Sequence, residues 1–158
     1  MRIYFFILMF VGTILFFNRC AVQPVREDNK MQFIAGQFEK TLAFSADTTK
    51  IPRTVTSEGE LKTTGIYGWT SGFFAGSLWY MYEITGDEKW KVEAKRWTEA
   101  LAPVQHYTDH HDVGFIINCS YGNGLRLTGT TDYETVIVQT AKSLSTRFNP
   151  ERSEERRV

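Results

Sequence analysis

Cysteine is nearly absent from this chain. Cys20 and Cys119 are the only two in 158 residues, so no disulfide framework holds the fold. Neither sign of charge prevails. Eighteen basic residues balance eighteen acidic ones, which leaves no electrostatic footprint for nucleic acid. The three histidines all fall between His106 and His111, so imidazole chemistry has one place in the chain. No G-x-S-x-G elbow, P-loop or dinucleotide fingerprint occurs, and these absences argue against serine-hydrolase, nucleotide-triphosphatase and nicotinamide chemistry. No cofactor is expected.

No apolar run is long enough to span a bilayer, which takes roughly 20 residues. Ile3 to Phe17 comes nearest and follows the small positive region of Met1 and Arg2. Residues 1–20 therefore read as a secretory signal peptide or a lipoprotein signal. Cys20 stands where a lipidated cysteine would stand, and is the lipidation candidate, although Arg19 departs from the small residue expected before it. Ordinary secretion, a lipid anchor at Cys20 and an uncleaved N-terminal anchor remain alternatives. Each implies an exported protein of a bacterium, periplasmic or membrane-anchored. If Cys20 is lipidated, Cys119 reads as a small buried residue without a disulfide partner.

Residues 21–30 (AVQPVREDNK) are polar, contain a proline and read as a linker. Helical periodicity begins at Met31, where Ile34, Phe38 and Leu42 recur every four residues. The pattern predicts helices at about 31–44, 70–84, 88–102, 117–127 and 132–148. The third carries Trp90, Ala94, Trp97 and Leu101 inward; the fifth carries Tyr133, Ile137, Ala141 and Leu144. Residues 45–66, rich in Ser, Thr, Gly and Pro, read as a long loop, and long loops are often functional. The only hint of extended structure is a short piece from Val113 to Ile117.

One internal echo sets the architecture. Thr85-Gly86 and Thr128-Gly129 lie 43 residues apart, and each joins an apolar helix to one that opens with an aromatic, Trp90 or Tyr133. A helix-turn-helix unit at that period predicts stacked helical hairpins, as in solenoids or α/α toroids, which bury a continuous core only with at least about three units. After Asn149-Pro150 the character changes. Residues 151–158 are nearly all charged and read as a non-native or disordered tail. Arg152 to Val158 can be encoded by AGATCGGAAGAGCGTCGTGTA, which resembles a sequencing-library adapter.

Two segments are dense in chemistry. Between His106 and Phe115 lie all three histidines with Asp109 and Asp112. Three readings compete there: a metal site using His106, His110 and Asp109; a cluster of hydrogen-bonded loop residues; or one glycosidase carboxylate. Asp109 and Asp112 are too close in sequence to flank a scissile bond, so a second carboxylate must come from elsewhere. The other segment, Tyr67 to Tyr82, opens with Trp69 at the edge of the long loop, where an indole can stack on a sugar ring. Trp79, Trp90 and Trp97 read instead as core.

Together these segments resemble glycoside hydrolase family 88, the unsaturated glucuronyl hydrolases. The resemblance rests on Trp69-Thr70-Ser71-Gly72-Phe73-Phe74 with Gly76 and Leu78-Trp79-Tyr80, then Ile84-Thr85-Gly86-Asp87 and His111-Asp112-Val113-Gly114-Phe115. Cys119-Ser120-Tyr121-Gly122-Asn123, Ser143-Leu144 and Thr146-Arg147-Phe148-Asn149-Pro150 complete it. It covers roughly residues 31–150, the N-terminal part of a family domain more than twice as long.

The resemblance implies an all-α fold, part of an (α/α)6 barrel truncated after its first helices. It implies a substrate made by polysaccharide lyases, an oligosaccharide ending in a C4=C5-unsaturated uronic acid. Such enzymes protonate C4, add water at C5 and let the hemiketal open. By the resemblance Asp112 is one of two catalytic aspartates, and the other, the principal acid/base, lies beyond the matching stretch. Trp69 matches a family tryptophan that lines the sugar site, His111 beside Asp112 is the candidate to hydrogen-bond the substrate or orient that aspartate, and no metal is implied. The chain as it stands is expected to be inactive. Two alternatives remain: an unsaturated rhamnogalacturonyl hydrolase, and a non-enzymatic exported glycan-binding helical-repeat protein.

Overall fold

The computed structural model describes residues 25–151 and 154–155; residues 1–20, read as a signal segment and including Cys20, and the end of the tail lie outside them. By its contacts the chain divides into two units, residues 1–36 and 37–158. Helix α1 (Val25–Phe44) runs from one into the other. It begins within the stretch read as a linker.

Within the second unit, residues 45–66 are not a plain loop. Strands β1 (Ile51–Val55) and β2 (Leu61–Thr64) form an antiparallel hairpin with an irregularity between Pro52 and Thr54. That irregularity is what a proline inside a strand requires. Gly59, at φ 87°, turns the chain. Ile51 is buried and fastens β1 against the next helix, α2 (Ser71–Thr85).

Gly86 ends α2 in the left-handed region at φ 66°, its N–H donating to the Tyr82 carbonyl. Asp87 then caps α3 (Glu88–Glu99) by accepting from the Lys89 N–H at 3.0 Å. Helix α3 stops three residues short of its predicted end, because Pro103 starts a 3-10 turn from Ala102 to His106. The next helical run begins at Val113, four residues early, so the expected extended piece is helical. It consists of α4 (Val113–Ile117), a π-helical turn (Asn118–Gly122) and α5 (Asn123–Thr128). Helix α6 (Thr131–Ser145) closes the second hairpin. Beyond it β3 (Phe148–Asn149) pairs with β4 (Glu154–Glu155).

Trp79, Trp90 and Trp97 are each at most 2% exposed, as core residues should be. Phe74 meets Trp97 edge-on at 4.9 Å, and Phe38 of α1 meets Trp90 in the same manner at 6.2 Å. The Trp79 indole donates to the buried Thr98 hydroxyl at 2.9 Å. Helix α6 sits rotated from its predicted face. Ala141 is exposed, and Thr140 and Ser143 are buried beside Tyr133. Their hydroxyls tolerate burial because they donate to the Val136 and Gln105 carbonyls. Cys119, expected to be buried, is half-buried, and that burial pushes its thiol pKa up.

Two glycines set the contact between α2 and the 113–128 run. A methyl on Gly72 would overlap the Ile116 carbonyl, and one on Gly76 would come within 2.7 Å of the Cys119 carbonyl. Gly124 lies against the rings of Trp79 and Tyr133, and Arg126 forms a two-pronged ion pair with Glu83. Contacts that advance together along both helices make the pair parallel. Gly72→Ala should therefore destabilise the chain by about 1–3 kcal/mol or more, since a rigid backbone carbonyl cannot yield. Gly36→Ala, in open space within α1, should instead stabilise it by roughly 0.5–1 kcal/mol. Urea midpoints of the two variants should move in opposite directions.

A second consequence concerns alkaline pH. Tyr121 and Tyr133 are buried edge-to-face at 4.8 Å. Burial, then the Glu99 carboxylate, pushes the Tyr121 phenol up from 10.0 to about 12, and Tyr133 is raised in the same direction. The unfolded chain loses these protons first. The stability they contribute is thus complete below pH 10 and is lost as pH rises towards about 12. Thermal melts should show a steep loss over that window, shallower in Tyr121→Phe. An equal loss in both chains would refute the assignment.

Candidate active site

The parallel packing places the N-terminal ends of α2 and of the 113–128 run side by side. Trp69 lies two residues before α2, and Asp112 directly precedes α4. Both therefore stand at the same end of the paired helices, in neighbouring loops.

The loops are joined by polar and aromatic contacts. The His110 ring lies between them, Nε2 2.8 Å from the Tyr67 carbonyl and Nδ1 accepting from the Asp112 N–H at 3.2 Å. The rings of Tyr67 and Tyr107 meet at a 35° tilt with centroids 4.5 Å apart, and Tyr107 meets His110 edge-on at 5.2 Å. From the end of α6, the buried Arg147 guanidinium donates to the Thr108 carbonyl. The loop carrying Asp112 is thus fastened on one side to the Trp69 loop and on the other to α6.

Asp112 does not cap the helix it precedes. At φ −74° and ψ 1° its backbone is outside the extended region a capping residue adopts, and its carboxylate makes no bond to the first turn. Its side chain is 24% exposed, with Oδ1 3.4 Å from Nε2 of His111, itself 63% exposed. A carboxylate that is partly shielded, reachable and not committed to the helix end can stabilise positive charge developing on a ligand. Trp69 is half exposed and meets Phe73 edge-on at 5.8 Å, which leaves an indole face for a flat apolar partner.

Of the three readings of the histidine segment, the hydrogen-bonded loop cluster describes His110, and the carboxylate reading stays open for Asp112. His106 sits apart in the 3-10 turn. Among the described residues, no group of three or more His, Cys, Asp or Glu is arranged to hold a metal ion. Reading the sequence alone missed Tyr67, Tyr107 and Arg147 as parts of the site. For the two tyrosines the signal was the concentration of aromatics flanking the two loops; for Arg147 it was only its place in the Thr146–Pro150 stretch.

No family model matches the chain. It is 31% identical to an unsaturated glucuronyl hydrolase of Formosa agariphila, over 94% of this chain and 40% of that protein. An unsaturated chondroitin disaccharide hydrolase of Streptococcus agalactiae is 31% identical over 51% of this chain and 21% of its own length. Among solved structures, an unsaturated glucuronyl hydrolase specific for heparin superposes with a TM-score of 0.69 at 39% identity. That match covers 77% of this chain and 33% of the other. The chain thus spans less than half the length of the relatives it matches. Its helical hairpins are part of the (α/α)6 barrel of such proteins.

Tryptophan fluorescence gives a direct check on the site's exposed aromatic. Trp69 is 50% exposed, whereas the other three indoles are nearly inaccessible. Acrylamide should quench one component of the emission, and Trp69→Phe should remove that component. Persistence of the quenchable component in that variant would show that one of the other three indoles is accessible, against the burial described above.

Proposed function

Since the chain belongs to the unsaturated glucuronyl hydrolases, glycoside hydrolase family 88, we propose that it forms part of the cleft of an enzyme acting on unsaturated oligosaccharides. The bond acted on is the C4=C5 enol ether of a terminal unsaturated uronic acid. The double bond takes a proton at C4, which leaves a cation at C5 shared with the ring oxygen. Water adds at C5 and loses a proton, and the hemiketal opens to release the next sugar.

In this reading Asp112 faces the cation as its stabilising carboxylate, His111 hydrogen-bonds the substrate or orients Asp112, and Trp69 stacks on a sugar ring. The observation that carries it is the meeting of the Trp69 and Asp112 loops at one end of parallel helices. Loops on a rigid scaffold are where binding and catalytic residues gather. The proton donor for C4 is assigned to sequence beyond the matching stretch. The protein is assigned to the bacterial envelope, in the periplasm or anchored through a lipidated Cys20.

An open apolar stripe bears on how this chain behaves alone. Phe73, Tyr80 and Ile84 are 38%, 51% and 63% exposed along one side of α2. In the longer relatives' architecture, further hairpins are the natural cover for such a face.

The assay follows the ultraviolet absorbance of the C4=C5 chromophore, which hydration removes. The chain extended to the length of its relatives should bleach an unsaturated uronate disaccharide, and the 158-residue chain should not. Asp112→Asn in the extended enzyme should slow bleaching by about 10²–10⁴-fold. Near-normal turnover by that variant would overturn the role given to Asp112. Turnover by the short chain at the rate of the extended one would overturn the need for a second carboxylate. Binding of uronates without bleaching by the extended protein would favour a glycan-binding role.

A further inference from the structure

We propose that His110 is a positioning residue, one that sets the Asp112 backbone against the Trp69 loop as a neutral imidazole protonated only on Nε2. The inference rests on the role given to Asp112 above.

The hydrogen bonds themselves specify the tautomer. The Asp112 main-chain N–H is a donor, so Nδ1, 3.2 Å away, must present a lone pair. The Tyr67 carbonyl is an acceptor, so Nε2, 2.8 Å away, must carry the proton. Only the neutral Nε2–H form satisfies both. Either alternative, the imidazolium or the Nδ1–H tautomer, turns a donor against the Asp112 N–H and breaks the link on that side.

The ring holds its place through more than these two bonds. Tyr107 packs edge-on against it and lies tilted against Tyr67, so the imidazole sits in an aromatic frame drawn from both loops. The groups that bear on its charge are the phenols of Tyr67 and Tyr107, and Asp109, His111 and Asp112 on its own loop. Arg147 reaches the same loop from α6 at the Thr108 carbonyl.

The His110–Asp112 bond has the form of an Asx turn, in which a side-chain acceptor takes the N–H two residues on. Asparagine reproduces that half of the contact but is too short to span to Tyr67. Alanine removes both halves. The pair therefore separates holding Asp112 from joining the two loops. A small displacement of a reacting group costs rate more than binding, roughly ten- to a hundredfold.

Two measurements test the proposal. In the 15N-labelled chain, long-range imidazole spectra should show His110 protonated on Nε2 alone. The Asp112 amide and the resonances of Tyr67 and Gly68 should all shift in His110→Ala, whereas His110→Asn should shift those of Tyr67 and Gly68 more than the Asp112 amide. In the extended enzyme, kcat should fall in the order wild type, His110→Asn, His110→Ala, with the alanine variant down roughly ten- to a hundredfold and KM changed far less.

A proton on Nδ1 at neutral pH, or Tyr67 and Asp112 resonances that ignore the His110→Ala substitution, would overturn the coupling. His110→Ala with wild-type kcat, or with a raised KM and unchanged kcat, would overturn the positioning role. Inactivity of the unsubstituted extended enzyme, with the spectral coupling intact, would instead count against the proposed reaction and leave the link between the loops standing.

Discussion

Gly72 and Gly76 allow the backbone of α2 to lie directly on the backbone of the 113–128 helical run, closer than any side chain at those positions permits. Because Gly72 faces Ile116 and Gly76 faces Cys119, the helices run parallel with nearly constant offset. The Glu83–Arg126 ion pair continues that register near their C-terminal ends, and Arg126 holds the Glu83 carboxyl below its usual range. Parallel helices in register carry their N-terminal loops to one end. The contact between His110 and Tyr67, and the nearness of the Asp112 loop to the Trp69 loop, follow from that backbone approach. Ridges packed at ordinary interhelical distance would hold these loops further apart.

The same geometry gives the internal repeat a structural meaning. Gly86 and Gly129 both turn the chain in the left-handed region, at φ 66° and 68°. Thr85 and Thr128 each donate to the carbonyl four residues back, Met81 or Gly124, and each accepts from the N–H two residues on. Trp90 and Tyr133 then open the returning helices, their N–H groups donating to Asp87 and Thr130. At the other end of the repeat, Tyr67 pairs with His110 at a separation of 43 residues, the spacing of the two turns. Trp69 and Asp112 are likewise one period apart. One end of each hairpin keeps the same turn chemistry, while the other end presents an aromatic in one unit and a carboxylate in the next. Repetition supplies the scaffold, and the loops supply the difference.

Several misreadings share one cause. The β1–β2 hairpin was hidden because Pro52 and the Ser/Thr-rich composition argue for a loop, whereas burial of Ile51 against α2 fastens the segment. The inward face of α6 was read from its apolar residues, yet Thr140 and Ser143 take that face because nearby carbonyls accept from their hydroxyls. Val113 to Ile117 looked extended because five apolar residues carry no period of their own. Burial of Val113, Ile116 and Ile117 around the close approach of α2 makes it the first turn of a longer run. In each case tertiary packing overrode a local preference too weak to resist it.

The sequence by itself determined the helical class, the hairpin period, the core tryptophans and the separation of Trp69 from them. These follow from the spacing of apolar residues and from Thr-Gly turns, which act over a few residues and need no distant partner. It also held the family pattern, and with it the candidates Trp69, His111 and Asp112. Tertiary structure decided which of the clustered polar residues does what. His110 and His111 are adjacent and chemically identical in the sequence, yet one ring bridges two loops while its neighbour is exposed beside Asp112. The difference depends on the Tyr67 carbonyl, 43 residues away, and on the glycine contact that brings it near. A hydrogen bond of that range is a property of the packed chain, because neither partner encodes the distance to the other.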